Sequence, residues 1–399
     1  MTLELKNTSL LTIAQLINAL VPFLFIPFYS RVFDADNFRL VMVSVSVIQF
    51  SMVVTDFGFN ISAVDLIAKA RSKRDLSKII SGIYFARLMV LAVALIPWFF
   101  FIVFNLQDAG FFFSILTIAI FFQVFQAQWL FIGLRKPEYI IYSNIASRTF
   151  YALLILFFVK GNATVNYVAL AAAMSAVLGA TVCVYLILKD GYRLHVVSFN
   201  YSKSLIVESA NFFWSRMAVA VYSSLTSILV ASTVAASSYA LYSVAEQLYK
   251  GGQLFSGSVS QAILPETTKS DNTTIVFLWA IFFAILGSLG VLGSLTFGGE
   301  LLGFLFGEDF VSGSGILLIF AIIFLFSSVS VMFGYPFFAA KNALDIANNS
   351  VMFGAAVHTV SLSVLYFSNT LSIYSAGFAI LLTEICIMLF RGVYIKTKF

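Results

Sequence analysis

The chain has 399 residues, 61% of them hydrophobic and 10% charged, with a net charge of +5 and a mean hydropathy of +0.98. Soluble domains carry about 45–50% apolar and about 25% charged residues, so this composition excludes water as the solvent and requires a bilayer. Its cations form no basic run interleaved with aromatics in a polar segment, which gives no support to nucleic-acid binding.

Windows of about 20 apolar residues predict an all-α polytopic membrane protein of about twelve spans. In chain order they are 9–30, 38–60, 79–104, 111–133, 140–159, 167–188, 205–230, 236–264, 273–297, 312–335, 348–368 and 374–395. The first is too long for a signal-peptide core of about 7–15 residues, so it reads as an uncleaved span. Pro22 and Pro27 should kink it. The eighth is the least apolar. Gly287, Gly290 and Gly293 in the ninth suit close helix packing.

Orientation follows from the cations. With the N-terminus in the cytoplasm, 16 of the 23 basic residues fall on the inner side, among them Lys6, Lys69, Arg71, Lys73, Arg74, Lys136 and Arg391; Arg31, Arg39 and Lys160 fall outside and four lie within spans. That bias places both termini inside. The outer loops are short, the longest near 297–312, which leaves no room for an extracytoplasmic catalytic domain. A transporter is expected rather than an enzyme.

The polar loop 189–204 divides the chain into a six-helix bundle over 1–195 and another over 205–399. An even number of spans per half gives parallel repeats. A faint self-match lies at an offset of 201 residues, where Asn37-Phe38-Arg39-Leu40 stands beside Ser238-Tyr239-Ala240-Leu241. The segment Ile61–Lys78 reads as a basic amphipathic helix on the inner leaflet, with Ile61, Val64, Ile67 and Ala68 on its apolar face. Membrane lipids are its expected partners.

Charges inside spans are costly, at least about 2.5–3.5 kcal/mol each at the helix centre, and mark function or pairing. The cations are Arg87, Arg148, Arg216 and Lys250; the anions are Asp56, Glu208, Glu246 and Glu384. At about 1.5 Å per residue, Arg87 and Arg148 lie roughly 12 Å from the inner surface and Arg216 roughly 17 Å. Guanidinium is the fork that matches phosphate oxygens, so the three arginines are expected to contact an anionic headgroup, with Lys250 beside them. Glu246 and Lys250 stand in the favoured order for an ion pair within one helix, which leaves Lys250 open to a structural role. Asp56 or Glu384 could bind a coupling ion, proton or sodium. His195, His358, Cys183 and Cys386 show no metal-ligand spacing, and neither metal nor cofactor is expected.

Several stretches resemble bacterial O-antigen flippases. They are Pro27-Phe28-Tyr29-Ser30-Arg31-Val32-Phe33, Thr55-Asp56-Phe57-Gly58-Phe59-Asn60, Ala63-Val64-Asp65-Leu66-Ile67-Ala68-Lys69, Gln128-Trp129-Leu130-Phe131-Ile132-Gly133-Leu134 and Leu305-Phe306-Gly307-Glu308-Asp309-Phe310. The likeness is strongest over 1–150. It departs at Phe33-Asp34, where the family usually has Leu-Gly, and at Arg39, where it usually has Gly. The family belongs to the multidrug/oligosaccharidyl-lipid/polysaccharide flippase superfamily. The resemblance implies two bundles around a central cationic cavity in the bacterial inner membrane. It also implies a polyprenyl-pyrophosphate-linked oligosaccharide as substrate, moved from the cytoplasmic to the periplasmic leaflet by alternating access. A polysaccharide polymerase and chain-length proteins are candidate partners. A cation antiporter of the same superfamily and a polymerase of the same pathway are the rival readings.

Overall fold

The computed structural model describes residues 23–105, 109–270 and 273–398. The expected first span therefore falls outside the described residues up to Pro22, as does Lys6. The described chain is helical, with no strand. Its helices are α1 (Phe23–Val32), α2 (Ala35–Asp56), α3 (Phe59–Lys69), α4 (Lys73–Asn105), α5 (Gly110–Gln123), α6 (Gln128–Gly133), α7 (Pro137–Phe158) and α8 (Asn166–Lys189). They continue with α9 (Phe199–Ala220), α10 (Thr226–Thr233), α11 (Ala236–Ser270), α12 (Thr274–Phe306), α13 (Ser314–Met332), α14 (Tyr335–Ala340), α15 (Leu344–Phe367) and α16 (Ile373–Lys398). A single π-helical turn, Val221–Leu225, joins α9 to α10.

Among the described residues ten helical stretches are long and apolar enough to cross a membrane. The polar α11 is 35 residues long and corresponds to the expected eighth span. Long side chains such as Leu278, Ile281, Ile285, Leu289 and Leu292 on α12 are exposed, which is favourable only against lipid. Helix α12 continues nine residues past the expected end of its span, so much of the expected outer loop is helix. Of its glycines, Gly287 lies where a Cβ would meet the Leu325 backbone at 2.8 Å, whereas Gly290 and Gly293 have no neighbour within 4 Å. Of the three glycines expected to pack closely, only Gly287 does so.

The chain forms two compact units, one over Ser44–Ala220 and the other over Phe23–Val43 with Val221–Phe399. Relative to the sequence halves 1–195 and 205–399, two segments change sides, and side-chain chemistry explains both. In the first unit the linker after α8 and the first turn of α9 lie along α4: Ser77 Oγ accepts from Arg193 N–H at 3.1 Å, Ser81 Oγ from His195 N–H at 2.9 Å, and Ser202 Oγ of α9 donates to Gly82 O at 3.0 Å. The same linker is held by Asp190, which accepts from Lys136 Nζ at 2.6 Å and the Tyr139 hydroxyl at 3.0 Å. That hydrogen bond holds the Lys136 ammonium above its ordinary pKa.

In the second unit α1 is tied to the end of α12. Ser30 Oγ donates to Phe306 O at 2.8 Å and Arg31 Nη2 to Phe304 O at 2.6 Å. These carbonyls are among the last of α12 and lack partners within the helix, and a cation complements the negative end of its dipole. The Ser-Arg pair of the first motif is thus a C-terminal cap supplied from another helix. Replacing Ser30 and Arg31 together by alanine is expected to cost about 1–3 kcal/mol. The expected readout is a lower melting temperature in detergent; an unchanged one would show that water serves these carbonyls equally well.

The two halves of the sequence repeat one plan. Helices α2 and α11 begin 201 positions apart, as do α4 and α12, both of 33 residues. Helices α6 and α14, six residues each, begin 207 apart. The following turns agree at the atomic level. Arg135 and Asn342 have φ of 56° and 52°; Lys136 N–H donates to Phe131 O at 2.9 Å and Ala343 N–H to Phe338 O at 2.8 Å.

The segment Ile61–Lys78 is not one amphipathic helix. Helix α3 ends at Lys69, while Lys73 and Arg74 open α4. The buried stripe of α3 is Phe59, Ala63 and Ile67, packed in one core with Trp129, Leu130 and Phe131 of α6. Ile61 is exposed. Protein rather than lipid covers the main apolar face, because three residues at a spacing of four fill one side of the short helix.

Candidate functional site

The second motif builds the site. Helix α2 stops at Asp56 because the next two residues, Phe57 and Gly58, take positive φ of 46° and 82°. The chain reverses there and α3 starts. A Cβ on Gly58 would lie 2.9 Å from Ser209 O, Phe213 N and Phe212 Cβ, so the turn presses on the backbone of α9. Phe57 stacks on Phe213 with centroids 4.2 Å apart, and the Ser62 and Ser209 hydroxyls bond at 2.6 Å.

This contact carries α9 past Asp56, two turns further along. Arg216 Nη1 donates to Asp56 Oδ2, and the two form an ion pair. The sides of the pair differ: Asp56 is 3% exposed, while the Arg216 side chain is 36% exposed. A buried carboxylate therefore holds a guanidinium that also reaches beyond it.

Arg87 on α4 approaches the same carboxylate but is used differently. Its Nε donates to Thr55 O at 3.1 Å, Nη1 to Gln126 O at 2.7 Å and Nη2 to Gln123 O at 3.2 Å. Thr55 lies in the last turn of α2 and Gln123 ends α5, where carbonyls lack partners within the helix; Gln123 O also accepts from Gln126 N–H at 3.1 Å. The planar fork joins two helix ends and the turn before α6.

A cavity of about 20 Å³ lies between these groups, lined by Met52, Asp56, Asn60, Arg87, Gln123, Gln126 and Gln128. Roughly 10–15 Å³ suffices for one water. Among the described residues, Asp56 Oδ1, Asn60 Oδ1 and Gln123 Oε1 are buried and accept no hydrogen bond. Three acceptors around one small polar space call for a proton donor.

The other candidates lie elsewhere. Arg148 is half-buried near the middle of α7. Lys250 on α11, in the second unit, pairs with Glu246 at 3.2 Å, and Glu246 also accepts from Ser227 Oγ at 3.0 Å. Glu384 on α16 accepts from the Tyr249 hydroxyl at 3.4 Å. The structure thus brings Asp56, Arg87 and Arg216 together in one unit, and holds Lys250 and Glu384 in the other.

Three features escaped the sequence reading. Asn60 and Gln123 belong to the site, and the signal for the second was visible: Gln123, Gln126 and Gln128 crowd an otherwise apolar stretch. Arg391, assigned to the inner surface, is 6% exposed and donates to Ser350 Oγ at 2.9 Å and Ser330 O at 2.5 Å. Helix α16 runs to Lys398, which carries Arg391 one turn deeper than its expected end. His358 is wholly buried, with Nε2 2.7 Å from Thr226 Oγ1 and Nδ1 3.1 Å from Thr383 Oγ1. Nothing in its apolar neighbours marked it.

Residues 5–271 match the family described as polysaccharide biosynthesis protein. The chain belongs to this family. Over 393 residues it is 22% identical to a Shigella dysenteriae protein named "Putative O-antigen transporter", covering 96% of this chain and 98% of the relative. A protein of the same name from Escherichia coli (strain K12) is 21% identical over 273 residues, 66% of this chain and 65% of the relative. The fold of this polysaccharide biosynthesis protein is similar to that of the lipid II flippase MurJ in an inward closed conformation, at a TM-score of 0.76 and 13% identity over 97% of this chain and 87% of that one. An inward-facing multidrug resistance MATE transporter follows at 0.70 and 12%, covering 96% of each chain. The fold is that of the superfamily expected from the motifs.

Proposed function

We propose that this polysaccharide biosynthesis protein is a flippase for a polyprenyl-pyrophosphate-linked oligosaccharide, the repeat unit of an O-antigen. It carries the headgroup from the cytoplasmic to the periplasmic leaflet of a bacterial inner membrane, with both chain termini in the cytoplasm. Membership of the family and similarity along nearly the whole length of an O-antigen transporter relative support this reading. One structural observation carries the site. Arg216 lies in a membrane-crossing helix, partly exposed, with Asp56 as its paired anion. A guanidinium so placed can exchange one oxyanion partner for another, and a diphosphate offers the stronger match.

Arg216 is the principal headgroup contact in this proposal and Arg148 the second. Arg87 holds the turn that positions Asp56, and Lys250 acts through its pair with Glu246. Asp56 is the better placed of the two candidate coupling carboxylates, since it touches the headgroup contact itself. The work done is translocation, with no covalent step.

Arg216→Ala, expressed in cells lacking the wild-type copy, is expected to lower surface glycan at least tenfold. Loss of a desolvated charged contact costs about 2–5 kcal/mol. The lipid-linked repeat unit should accumulate while staying inaccessible from the periplasmic side. Normal surface glycan at normal protein level would remove Arg216 from the site. Units that reach the periplasmic face unpolymerised would point to a later step, and normal glycan with raised sensitivity to cationic drugs would point to an antiporter.

A further inference from the structure

We propose that binding of a phosphate-bearing anion at Arg216 is coupled to uptake of one proton by Asp56. The inference rests on the reading of Arg216 as the anion contact and adds a linkage that the reading does not require.

Asp56 and an incoming anion compete for one guanidinium. Asp56 Oδ2 is paired with Arg216 Nη1, so a bidentate hold on phosphate draws the fork away from it. The carboxylate left behind is 3% exposed. Its remaining hydrogen-bond contacts come from main-chain N–H groups of the turn, a long one from Asn60 at 3.5 Å and one from Gly58. Two charged groups face Asp56, Arg216 from α9 and Arg87 from α4. Arg87 stays where it is, because one N–H on each of Nε, Nη1 and Nη2 donates to a main-chain carbonyl and fixes the fork; its charge faces Asp56, but no Arg87–Asp56 hydrogen bond takes the place of the one from Arg216. The neighbours lining the cavity from α3 and from the α5–α6 segment are the amides Asn60, Gln123, Gln126 and Gln128, and none of them titrates.

A buried carboxylate without its partner is strongly disfavoured, and protonation relieves it. The site is built to receive that proton. Oδ1 accepts nothing, and it shares the small cavity with Asn60 Oδ1 and Gln123 Oε1, two buried acceptors that also lack a donor. A neutral Asp56 with its hydrogen on Oδ1 donates to one of them, directly or through a single water. One proton from solvent thus converts an orphaned acceptor into a donor where acceptors are in excess. No bond between heavy atoms forms or breaks. By linkage, the anion and the proton must favour each other's binding to the same degree.

The full-length protein in lipid nanodiscs, with inorganic pyrophosphate as probe, tests this. Calorimetry in buffers of different ionisation enthalpy should give close to one more proton taken up per anion by the wild type than by Asp56→Asn. The difference cancels the probe's own titration. Relative to Asp56→Asn, wild-type affinity should fall about tenfold per pH unit where Asp56 is ionised in the free protein. Asp56→Asn should bind at least as tightly, since it frees Arg216. Infrared difference spectra of the wild type should show a carboxylic-acid C=O band on binding, a readout that survives if the variant does not fold. Binding with neither band nor extra proton overturns the coupling and leaves the Arg216 reading standing. Binding to Arg216→Ala as tight as to the wild type, or none to the wild type, overturns that reading and the coupling with it.

Discussion

Gly58→Ala is expected to destabilise the first unit by about 2–5 kcal/mol, with still larger losses for Gly58→Val. Two costs combine. A side chain at φ of 82° enters the left-handed region, at about 1–2 kcal/mol. The added Cβ also meets Ser209 O and Phe213 N at 2.9 Å, and backbone cannot rotate aside as a side chain can. Overpacking of that kind costs about 1–3 kcal/mol. Helix α9 would have to retreat, taking Arg216 from Asp56, so the Phe213 stack and the ion pair would suffer together. Melting in detergent reports the stability loss, and surface glycan reports the function. A variant that melts at the wild-type temperature would show that α9 is not held by this turn.

Arg87→Met should also be severe, at about 3–5 kcal/mol, the usual cost of breaking a buried polar network from one side. Methionine fills the space and removes the charge, but leaves Thr55 O, Gln123 O and Gln126 O without the donor that joins them. Arg87→Lys is the informative companion. It keeps the positive charge near Asp56 yet lacks the planar fork, so it cannot span carbonyls from α2 and the end of α5 at once. If charge near Asp56 is what matters, lysine should restore stability. If the fork joining helix ends is what matters, lysine should fail almost as badly as methionine. The geometry favours the second outcome. The readouts are melting in detergent and the fraction of protein extracted as a single monodisperse species.

These two residues show how far the sequence could be read. Its motif Thr55-Asp56-Phe57-Gly58-Phe59-Asn60 stood out by resemblance, and Arg87 and Arg216 stood out because charges rarely enter a span. Residue type and depth are local properties, so they were legible. Both arginines looked alike by that criterion. Only their surroundings separate them: one is enclosed by the carbonyls of helix ends and the other is partly exposed beside a carboxylate. Arg31 is a similar case, a loop cation by position and a helix cap by contact.

Hydrophobic runs of about 20 residues, and the cost of unpaired backbone in lipid, determined by themselves that this chain is all-α and membrane-spanning, and where most helices lie. The repeat was also present in the sequence, since its two halves share an offset that the starts of α2 and α11 preserve. Tertiary structure alone decided which segments make one unit, that Gly287 and neither Gly290 nor Gly293 packs against a neighbour, and that Asp56 meets Arg216 across 160 residues. The reason is physical. Span formation is set by partition of each helix between water and lipid, residue by residue, whereas pairing among helices depends on a few close approaches such as that at Gly58, which no local pattern encodes.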